Sequence, residues 1–368
     1  MSARVAISVL LLARFATDVA AAEPERIELG PIETVLADKA LGLRYFPDGR
    51  LAVVRTVPDC RVLIAAGVCS FLLEGPVMGK FTKATKVLDK GKPGEFDNGY
   101  AGINAVVRLN TGELLAFYHA EDQEDMASVG NGIPGFYCRV ALAISADDSS
   151  TFKKVGPILS SRLPKDRKGT PDQGGGEPWV LVEPTGEYLY AYYTSHERAE
   201  NRGVQICMAR CPRADALKVE SWRKFHAGAF EEPGLGGRDT PVVTSGRPDA
   251  DALFPQVVFL PAVRRFVMLF CVNAWREGDK PKRSGIYVAL SDDGIRWPAE
   301  RIQQIWRVPV VAAIGREVAW HPTFIRDENS ATRGFLYCGY SGNWGDQPPH
   351  TPHYLVRRSL IIGETRGQ

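Results

Sequence analysis

The stretch GGGEPW, residues 174–179, places a carboxylate, Glu177, between a run of glycines and an apolar segment typical of a buried strand. Acidic residues precede other apolar segments in the same way: Asp97 in FDNGYAGI, Asp172 ahead of Glu177 itself, Asp251 in PDADALFPQ and Glu317 in REVAWHPTF. Carboxyl groups that converge in one cavity raise one another's pKa, so one can donate a proton while another accepts one. The pattern predicts acid–base chemistry.

Other polar and aromatic side chains accompany these carboxylates. They are His119, His196, Trp275, Arg276, His321, Tyr340 and Asn343. Aromatic rings suit stacking on sugar faces, and glycoside hydrolysis needs two carboxyl groups beside the bond that is cleaved. We therefore expect a carbohydrate substrate, with Glu177, Asp97 and Asp251 as catalytic residues and the others as substrate-binding residues.

Some of these residues also have simpler interpretations. Asp97-Asn98-Gly99 has the composition of an ordinary turn, and Asp251 shares its loop with Asp249, so that one of the two is solvated. His119 and His196 could cap strand ends. The sequence alone leaves these alternatives open.

The residues lie on a repeated pattern. An apolar run, a tight turn and an aromatic-rich run recur at 102–122, 177–197, 254–277 and 320–345, and a third strand-like segment follows each, at 136–152, 202–211, 284–297 and 353–362. Alternating and aromatic-rich apolar runs with turn residues between them are typical of β-hairpins. Residues 41–88 form a further unit, in which either PDGR or VPDC is the first turn.

Five such units predict an all-β, five-bladed β-propeller with four-stranded antiparallel blades. A strand within residues 26–38 is expected to pair with the last blade and cover its open edge. In this fold the residues before each first strand and after each second strand surround one end of the central channel, which is where the polar residues above occur. A β-sandwich is the alternative, but at this length it needs two domains, and no linker separates two halves.

The chain resembles the five-bladed propeller glycosidases, the arabinanase, xylosidase and levanase superfamily that includes glycoside hydrolase family 43. The resemblance implies that Glu177 in GGGEPW is the general acid, that Asp97 in FDNGYAGI is the second-blade carboxylate, and that the reaction inverts configuration. The first-blade base has no secure match, because Asp48 could be a turn residue and Asp59 lies in an ambiguous loop. His321 in EVAWHPTF matches a channel histidine that in this family can lie near a calcium ion, so a structural calcium is possible.

Composition and the N-terminus set further limits. With 45 Lys plus Arg against 43 Asp plus Glu, the net charge of +2 gives no reason to expect nucleic acid or an anionic membrane as partner. An early Arg4, an apolar run and Ala20–Ala22 predict a signal peptide over residues 1–22, ahead of one domain at 23–368 in a secreted or periplasmic protein. The seven cysteines are expected to be mainly buried small hydrophobic residues.

Three other functions compete with hydrolysis. A propeller that binds carbohydrate without cleaving it would use the same aromatic residues. A phosphorolytic glycosidase would need a basic pocket beside the acid. A sialidase is suggested by the Ser-x-Asp-Gly turn at 291–297, but it requires an arginine cluster, for which Arg276 and Arg316 are the candidates.

Overall fold

Antiparallel strands form where the sequence alternates apolar and polar residues between tight turns. The computed structural model describes residues 26–130, 133–197, 203–246, 250–274, 280–309, 316–344 and 351–363. In these ranges, no helix is long and apolar enough to cross a membrane. The helical elements there are α1 (Lys280–Arg283) and short 3₁₀ turns at Ala40–Gly42, Arg213–Asp215, Val219–Ser221 and Ala299–Arg301. The protein is all-β, as predicted.

Two N-terminal strands come first, followed by unit 1. The N-terminal strands are β1 (Arg26–Leu29) and β2 (Glu33–Leu36). Unit 1 is an antiparallel sheet of β3 (Ala52–Arg55), β4 (Cys60–Ala66), β5 (Cys69–Gly75) and β6 (Lys83–Leu88). Its first turn is therefore VPDC, and PDGR precedes the first strand.

Units 2 and 3 follow, each built on one of the predicted hairpins. Unit 2 contains β7 (Tyr100–Arg108), β8 (Leu114–Asp122), β11 (Phe136–Ser145) and β12 (Lys153–Leu159), with a small hairpin of β9 (Ser128–Gly130) and β10 (Ile133–Pro134) inserted. Unit 3 contains β13 (Asp172–Val182), β14 (Tyr188–Ser195), β15 (Gln205–Pro212), β16 (Arg223–His226) and β17 (Ala229–Pro233). A short parallel pairing of β11 with β13 links the two units.

Units 4 and 5 complete the chain. Unit 4 contains β18 (Ala250–Leu260), β19 (Arg265–Ala274), β20 (Gly285–Ser291) and β21 (Ile302–Arg307). Unit 5 contains β22 (Arg316–Arg326), β23 (Arg333–Trp344) and β24 (Tyr354–Gly363). Both β1 and β2 pair antiparallel with β24. The predicted pairing of the N-terminal strand with the last sheet is confirmed.

Five buried hydrophobic clusters hold the units together, and they follow the units in cyclic order. Each cluster joins two neighbouring units. One pair of residues from each, in the order of the junctions 1–2, 2–3, 3–4, 4–5 and 5–1, is Leu63 with Tyr118, Phe117 with Trp222, Tyr192 with Trp297, Leu269 with Leu336, and Leu355 with Val62. Burying such side chains contributes about 1.5–3 kcal/mol each. Contacts between neighbouring units therefore supply much of the stability.

The first strands also bond to one another or to the loop before β3. The indole N–H of Trp179 donates to the carbonyl of Val257 (2.6 Å), the amide of Gln256 to the carbonyl of Phe324 (3.2 Å), and the N–H of Leu51 to the hydroxyl of Thr323 (3.1 Å). These bonds join units 3, 4, 5 and 1 in turn. They hold the first strands of units 3, 4 and 5 and the loop before β3 next to one another.

The seven cysteines are all free. Six are buried and Cys69 is partly exposed. The prediction that they act mainly as small hydrophobic residues is confirmed.

Candidate active site

Three first strands carry the same strained bend. Glu177, Phe254 and His321 have φ angles of 53°, 61° and 53°. Each lies at a break in the pairing of the first with the second strand of its unit, and each precedes a proline, namely Pro178, Pro255 or Pro322. Proline disfavours the α region for the residue before it, and a bulge turns that residue's side chain away from its regular direction. Units 3, 4 and 5 thus place one re-aimed side chain each at an equivalent position.

At two of the bends the backbone N–H has an acceptor on the second strand of the preceding unit. The N–H of Glu177 donates to Nδ1 of His119 (3.0 Å), and that of Phe254 donates to the hydroxyl of Thr194 (3.2 Å). A left-handed conformation costs a non-glycine residue about 1–2 kcal/mol, and these bonds offset part of that cost.

The glycines before Glu177 allow β13 to lie against unit 2. A Cβ on Gly174, whose φ is +96°, would lie 2.1 Å from the carbonyl oxygen of Cys138. A Cβ on Gly176 would lie 2.2 Å from Nδ1 of His119. Only glycine permits an approach this close. The glycine run therefore lets His119 reach the backbone of Glu177.

A hydrogen-bond chain fixes the His119 ring. Because Nδ1 accepts the Glu177 N–H, Nε2 carries the proton and donates it to Oε1 of Glu121 (2.9 Å). The other oxygen of Glu121 accepts a bond from the amide of Gln123 (2.7 Å). Burial lowers the pKa of His119, but Glu121, Glu177 and Asp48 together raise it above its ordinary value. Imidazole and carboxylates are thus close neighbours.

Arg50 forms a buried cation beneath Glu177. Its side chain is 0% exposed, and its Nη2 donates to the carbonyl of Pro178 (3.2 Å) while its backbone N–H donates to the side chain of Asn104 (2.9 Å). Burial lowers the pKa of Arg50 to about 10, and the nearby Glu177 carboxylate acts in the opposite direction. Arg50 thus connects the loop before unit 1 to unit 2 through its backbone N–H and to unit 3 through its guanidinium.

Tyr100 lies among carboxylates from three units. Its hydroxyl donates to the backbone carbonyl of Asp48. Burial raises the pKa of Tyr100 well above its ordinary value, and the negative charges of Asp48, Glu121 and Glu177 add to that shift. Asp48 precedes β3, Glu121 is the last residue but one of β8 and Glu177 lies in β13, so carboxylates that are distant in sequence converge here.

Aromatic rings complete the site on the side of units 4 and 5. The rings of Phe254 and His321 are 4.1 Å apart between centroids. Nε2 of His321 lies 3.8 Å from Oδ1 of Asp48, whose side chain is 45% exposed. Asp48 is therefore a solvent-accessible carboxylate beside a buried imidazole.

Asp97, predicted as a catalytic carboxylate, lies elsewhere. It is 1% exposed, its Oδ2 is 2.6 Å from Nζ of Lys154 on the outer strand β12, and the hydroxyl of Tyr118 donates to it (3.1 Å). Tyr118 belongs to the cluster between units 1 and 2, whereas the neighbouring residue His119 faces unit 3, because successive side chains in a strand point to opposite faces. The structure does not bring Asp97 to Glu177.

Asp251, the third predicted catalytic residue, is a buried contact between units. Its Oδ1 accepts the N–H of Val204 (2.7 Å), which joins the start of the first strand of unit 4 to the residue just before β15. Asp251 thus serves the junction of units 3 and 4, whereas the carboxylates around Tyr100 come from units 1, 2 and 3.

Two predicted substrate-binding residues lie near Glu177. Asp172 pairs with Phe136 at the start of β13. Burial is the main cause that raises the pKa of Cys138, followed by the charges of Glu121 and Glu177, and the charge of Asp172 adds to the same shift. The N–H of His196 donates to the carbonyl of Gly174 (2.8 Å), and its ring lies 5.4 Å from that of Phe136. Both belong to the unit 2–unit 3 side of the site.

The remaining predicted residues are further away or are not described. Glu317 is exposed. Burial raises the pKa of Tyr340, and the charge of Glu317 adds to that shift. The ring of Tyr340 stacks on that of Trp306 in the outer strand β21, with 6.2 Å between the ring centroids. Both therefore lie at the junction of units 4 and 5. Asn343 is in β23, and Trp275 and Arg276 lie outside the described residues.

In the part of the chain that the structure describes, no group of three His, Cys, Asp or Glu residues could hold a metal ion. His321 has Asp48 as a carboxylate neighbour, but the pair does not amount to a set of calcium ligands, which number six to eight oxygens. The calcium that the resemblance implies stays a prediction, and we assign no role to a metal.

Comparisons with known proteins place the fold. No protein-family model matches the sequence, and no curated protein is similar to it. Among solved structures, an α-L-arabinofuranosidase from Lactobacillus brevis has 10% identity and a TM-score of 0.57, over 89% of this chain and 92% of that one. A family 117 glycoside hydrolase from Zobellia galactanivorans has 10% identity and a TM-score of 0.56, over 92% and 91%. An endo-arabinase from Bacteroides thetaiotaomicron has 11% identity and a TM-score of 0.53, over 91% and 99%. The chain shares its fold with glycoside hydrolases.

Proposed function

We propose that the protein is a glycoside hydrolase in which Glu177 is the general acid and Asp48 the base. The observation that carries the proposal is the meeting of residues from units 3 and 1 at Tyr100 and His119. The N–H of Glu177 bonds to His119, the His119 ring lies 5.4 Å from that of Tyr100, and the Tyr100 hydroxyl bonds to the carbonyl of Asp48. Glycoside hydrolysis needs two carboxyl groups that flank the scissile bond. Asp48 replaces Asp97 and Asp251, which are engaged in buried contacts elsewhere.

The environments of the two carboxylates suit these roles. One oxygen of Glu177 is buried and has no hydrogen-bond partner, whereas the side chain of Asp48 is open to water. Glu177 would donate its proton to the glycosidic oxygen as the bond from that oxygen to C1 breaks. Asp48 would take a proton from the water whose oxygen bonds to C1. The inverted product follows from the resemblance to the inverting propeller enzymes.

We also propose that the five units are the blades of a closed five-bladed propeller that forms one domain. The cyclic order of the five hydrophobic clusters supports this arrangement, because the last cluster joins unit 5 to unit 1. So does the reach of Arg50 from the loop before unit 1 to Pro178 in unit 3, which is short only if these units surround a common axis.

The proposed substrate contains an uncharged furanose sugar. Structurally similar enzymes include α-L-arabinofuranosidases and an endo-arabinase. Asp48, Glu121 and Glu177 concentrate negative charge at the site, and this charge would repel an acidic sugar. This favours an arabinose-containing oligosaccharide over a sialic acid or uronic acid substrate.

The test compares Asp48→Asn with Asp97→Asn on arabinobiose, linear arabinan and p-nitrophenyl α-L-arabinofuranoside. We expect Asp48→Asn to lower kcat/KM at least roughly a hundredfold, while Asp97→Asn that remains folded stays within a few-fold of wild type. The reverse result would identify Asp97, and not Asp48, as the base. Binding of arabinan without cleavage by wild type would favour a carbohydrate-binding protein, and cleavage that requires phosphate would favour phosphorolysis.

We further propose that the protein is exported, on the basis of the pattern in residues 1–22, which lie outside the described residues. Fractionation of cells that express the full-length chain, with N-terminal sequencing of the product, tests this. Cleavage near Ala22 is expected, and an intact N-terminus in the cytoplasm would contradict it.

A further inference from the structure

The loop that leads into unit 1 carries two exposed groups and one buried group. Tyr45 is 48% exposed, the side chain of Asp48 is 45% exposed, and Arg50 is fully buried. Arg50 supports Glu177 from below and Asp48 lies at the proposed reaction centre. Tyr45 is therefore a solvent-facing ring on a loop that already contributes Arg50 and Asp48 to the site.

A stack of rings supports Tyr45 from behind. Its ring meets that of His353 edge to face at 5.3 Å, and His353 meets Trp320 at 5.2 Å. The indole N–H of Trp320 donates to the carbonyl of Pro47 (2.8 Å), which ties the stack back to the same loop. His353 and Trp320 are both buried. The position of the Tyr45 ring is therefore fixed although much of the ring faces solvent.

This exposure is unusual within the molecule. The large apolar residues that are exposed in the described part of the chain are otherwise aliphatic, and Tyr45 is the one aromatic residue among them. Its backbone is also in the left-handed region, with φ of 49°. Bulky residues held in that region cost free energy and cluster at ligand sites. Packing alone does not require an exposed ring here.

We propose that Tyr45 forms a second sugar subsite, adjacent to the sugar bound between Asp48 and Glu177. This inference rests on the proposed function. The exposed part of the ring would stack on the apolar face of a neighbouring sugar. The substrate is then an oligosaccharide whose chain leaves the reaction centre over the edge formed by units 1 and 5.

The test measures kcat/KM for methyl α-L-arabinofuranoside, arabinobiose and arabinotriose with wild type, Tyr45→Ala and Tyr45→Phe. The methyl glycoside has no second sugar. We expect Tyr45→Ala to lower kcat/KM for the two oligosaccharides by roughly three- to tenfold and to change the value for the methyl glycoside less than about twofold. Tyr45→Phe, which keeps the ring, should retain most of the activity on oligosaccharides.

Leu41→Ala provides the matched control, since Leu41 is also exposed and also left-handed, with φ of 56°. It should leave all three values unchanged. Equal losses on all three substrates with Tyr45→Ala, or no loss on any, would overturn the subsite while leaving the hydrolase assignment intact. If wild type neither hydrolyses nor binds any of these sugars, both proposals fail.

Discussion

The first strands of units 3 and 4 bend in the same way but present different side chains at the bend. At Glu177 and at Phe254 a left-handed residue precedes a proline, and its N–H is bound by a side chain of the preceding unit. The acceptor is His119 for Glu177 and Thr194 for Phe254. The repeated backbone therefore supplies a position that faces the site, and the identity of one residue determines whether that position carries a carboxylate or a ring.

The surroundings of the two bends differ accordingly. Glu177 has the Arg50 guanidinium beneath it and the His119–Glu121 pair beside it. Phe254 packs against the ring of His321. Taking a carboxylate out of water is costly without polar neighbours. At Glu177, which is partly buried, these neighbours come from unit 2 and from the loop before unit 1, whereas the ring of Phe254 needs none. The comparison predicts that changes at the bend of unit 3 affect activity, while changes at the bend of unit 4 affect mainly stability.

The largest effect is expected from the side chains at the two bends. Glu177→Gln removes the proton donor but keeps the size of the side chain, so kcat/KM on arabinobiose should fall at least roughly a hundredfold. Phe254→Leu should lower kcat/KM by less than about tenfold, because it alters only packing. Steady-state kinetics with circular dichroism as the folding check measure both, and an equal loss in the two variants would remove the distinction between the units.

The second-largest effect is expected from a change in the glycine run before Glu177. Gly176→Ala puts a methyl group 2.2 Å from Nδ1 of His119 and 2.9 Å from the sulfur of Cys138. Overpacking of this kind costs about 1–3 kcal/mol, and it also displaces His119 from Glu177. We expect a lower midpoint in urea unfolding together with reduced activity.

Gly175→Ala is the control for that change. Its added methyl group would lie 3.2 Å from the ring of Tyr193, a contact that a small shift relieves. The loss of stability should be smaller than for Gly176→Ala. If Gly175→Ala is as harmful, the approach of His119 does not explain the glycine run.

A smaller effect is expected from His119. His119→Ala leaves the N–H of Glu177 without its acceptor and Oε1 of Glu121 without its donor, and an unsatisfied buried group costs about 1–3 kcal/mol. We expect kcat to fall about tenfold, with less change in KM. His119→Asn, whose side-chain oxygen can accept the same N–H, should recover part of the rate. Equal activity of the two variants would show that the hydrogen bond does not position Glu177.

The smallest effect belongs to unit 4. Thr194→Val removes the acceptor for the N–H of Phe254 while preserving the shape of the side chain. The free energy of unfolding should fall by about 1–3 kcal/mol, the cost of an unsatisfied buried donor, and kcat/KM should stay within about twofold of wild type. A large loss of activity would mean that the bend of unit 4 also takes part in the reaction.

Much of the fold and one proposed catalytic residue could be predicted from the sequence. Turn residues and alternation located the hairpins, and the unpaired strand near the N-terminus found its place in unit 5. Glu177 was found because a carboxylate between glycines and a buried strand is conspicuous. The repeated pairs Glu177-Pro178, Phe254-Pro255 and His321-Pro322 are a signal that sequence reasoning missed, and they identify the bend in each unit.

The partner of Glu177 could not be found in the same way. Asp48 in PDGR has the composition of a turn, and Arg50 reads as a solvated residue, because nothing local shows that this loop enters the site. Asp97 lies just before a first strand, much as Glu177 lies near the start of one. The ion pair that Asp97 forms with Lys154, however, depends on a strand that comes much later in the chain. Such long-range pairing is decided by the packing of whole units.

The most direct test of the central claim, that Glu177 is the acid and Asp48 the base, compares two leaving groups. Arabinobiose needs protonation of its leaving oxygen, whereas 2,4-dinitrophenyl α-L-arabinofuranoside does not. We predict that Glu177→Gln loses most of its activity on arabinobiose but little on the dinitrophenyl glycoside, and that Asp48→Asn loses activity on both. A loss on both substrates with Glu177→Gln, or full activity of Asp48→Asn on either, would contradict this account.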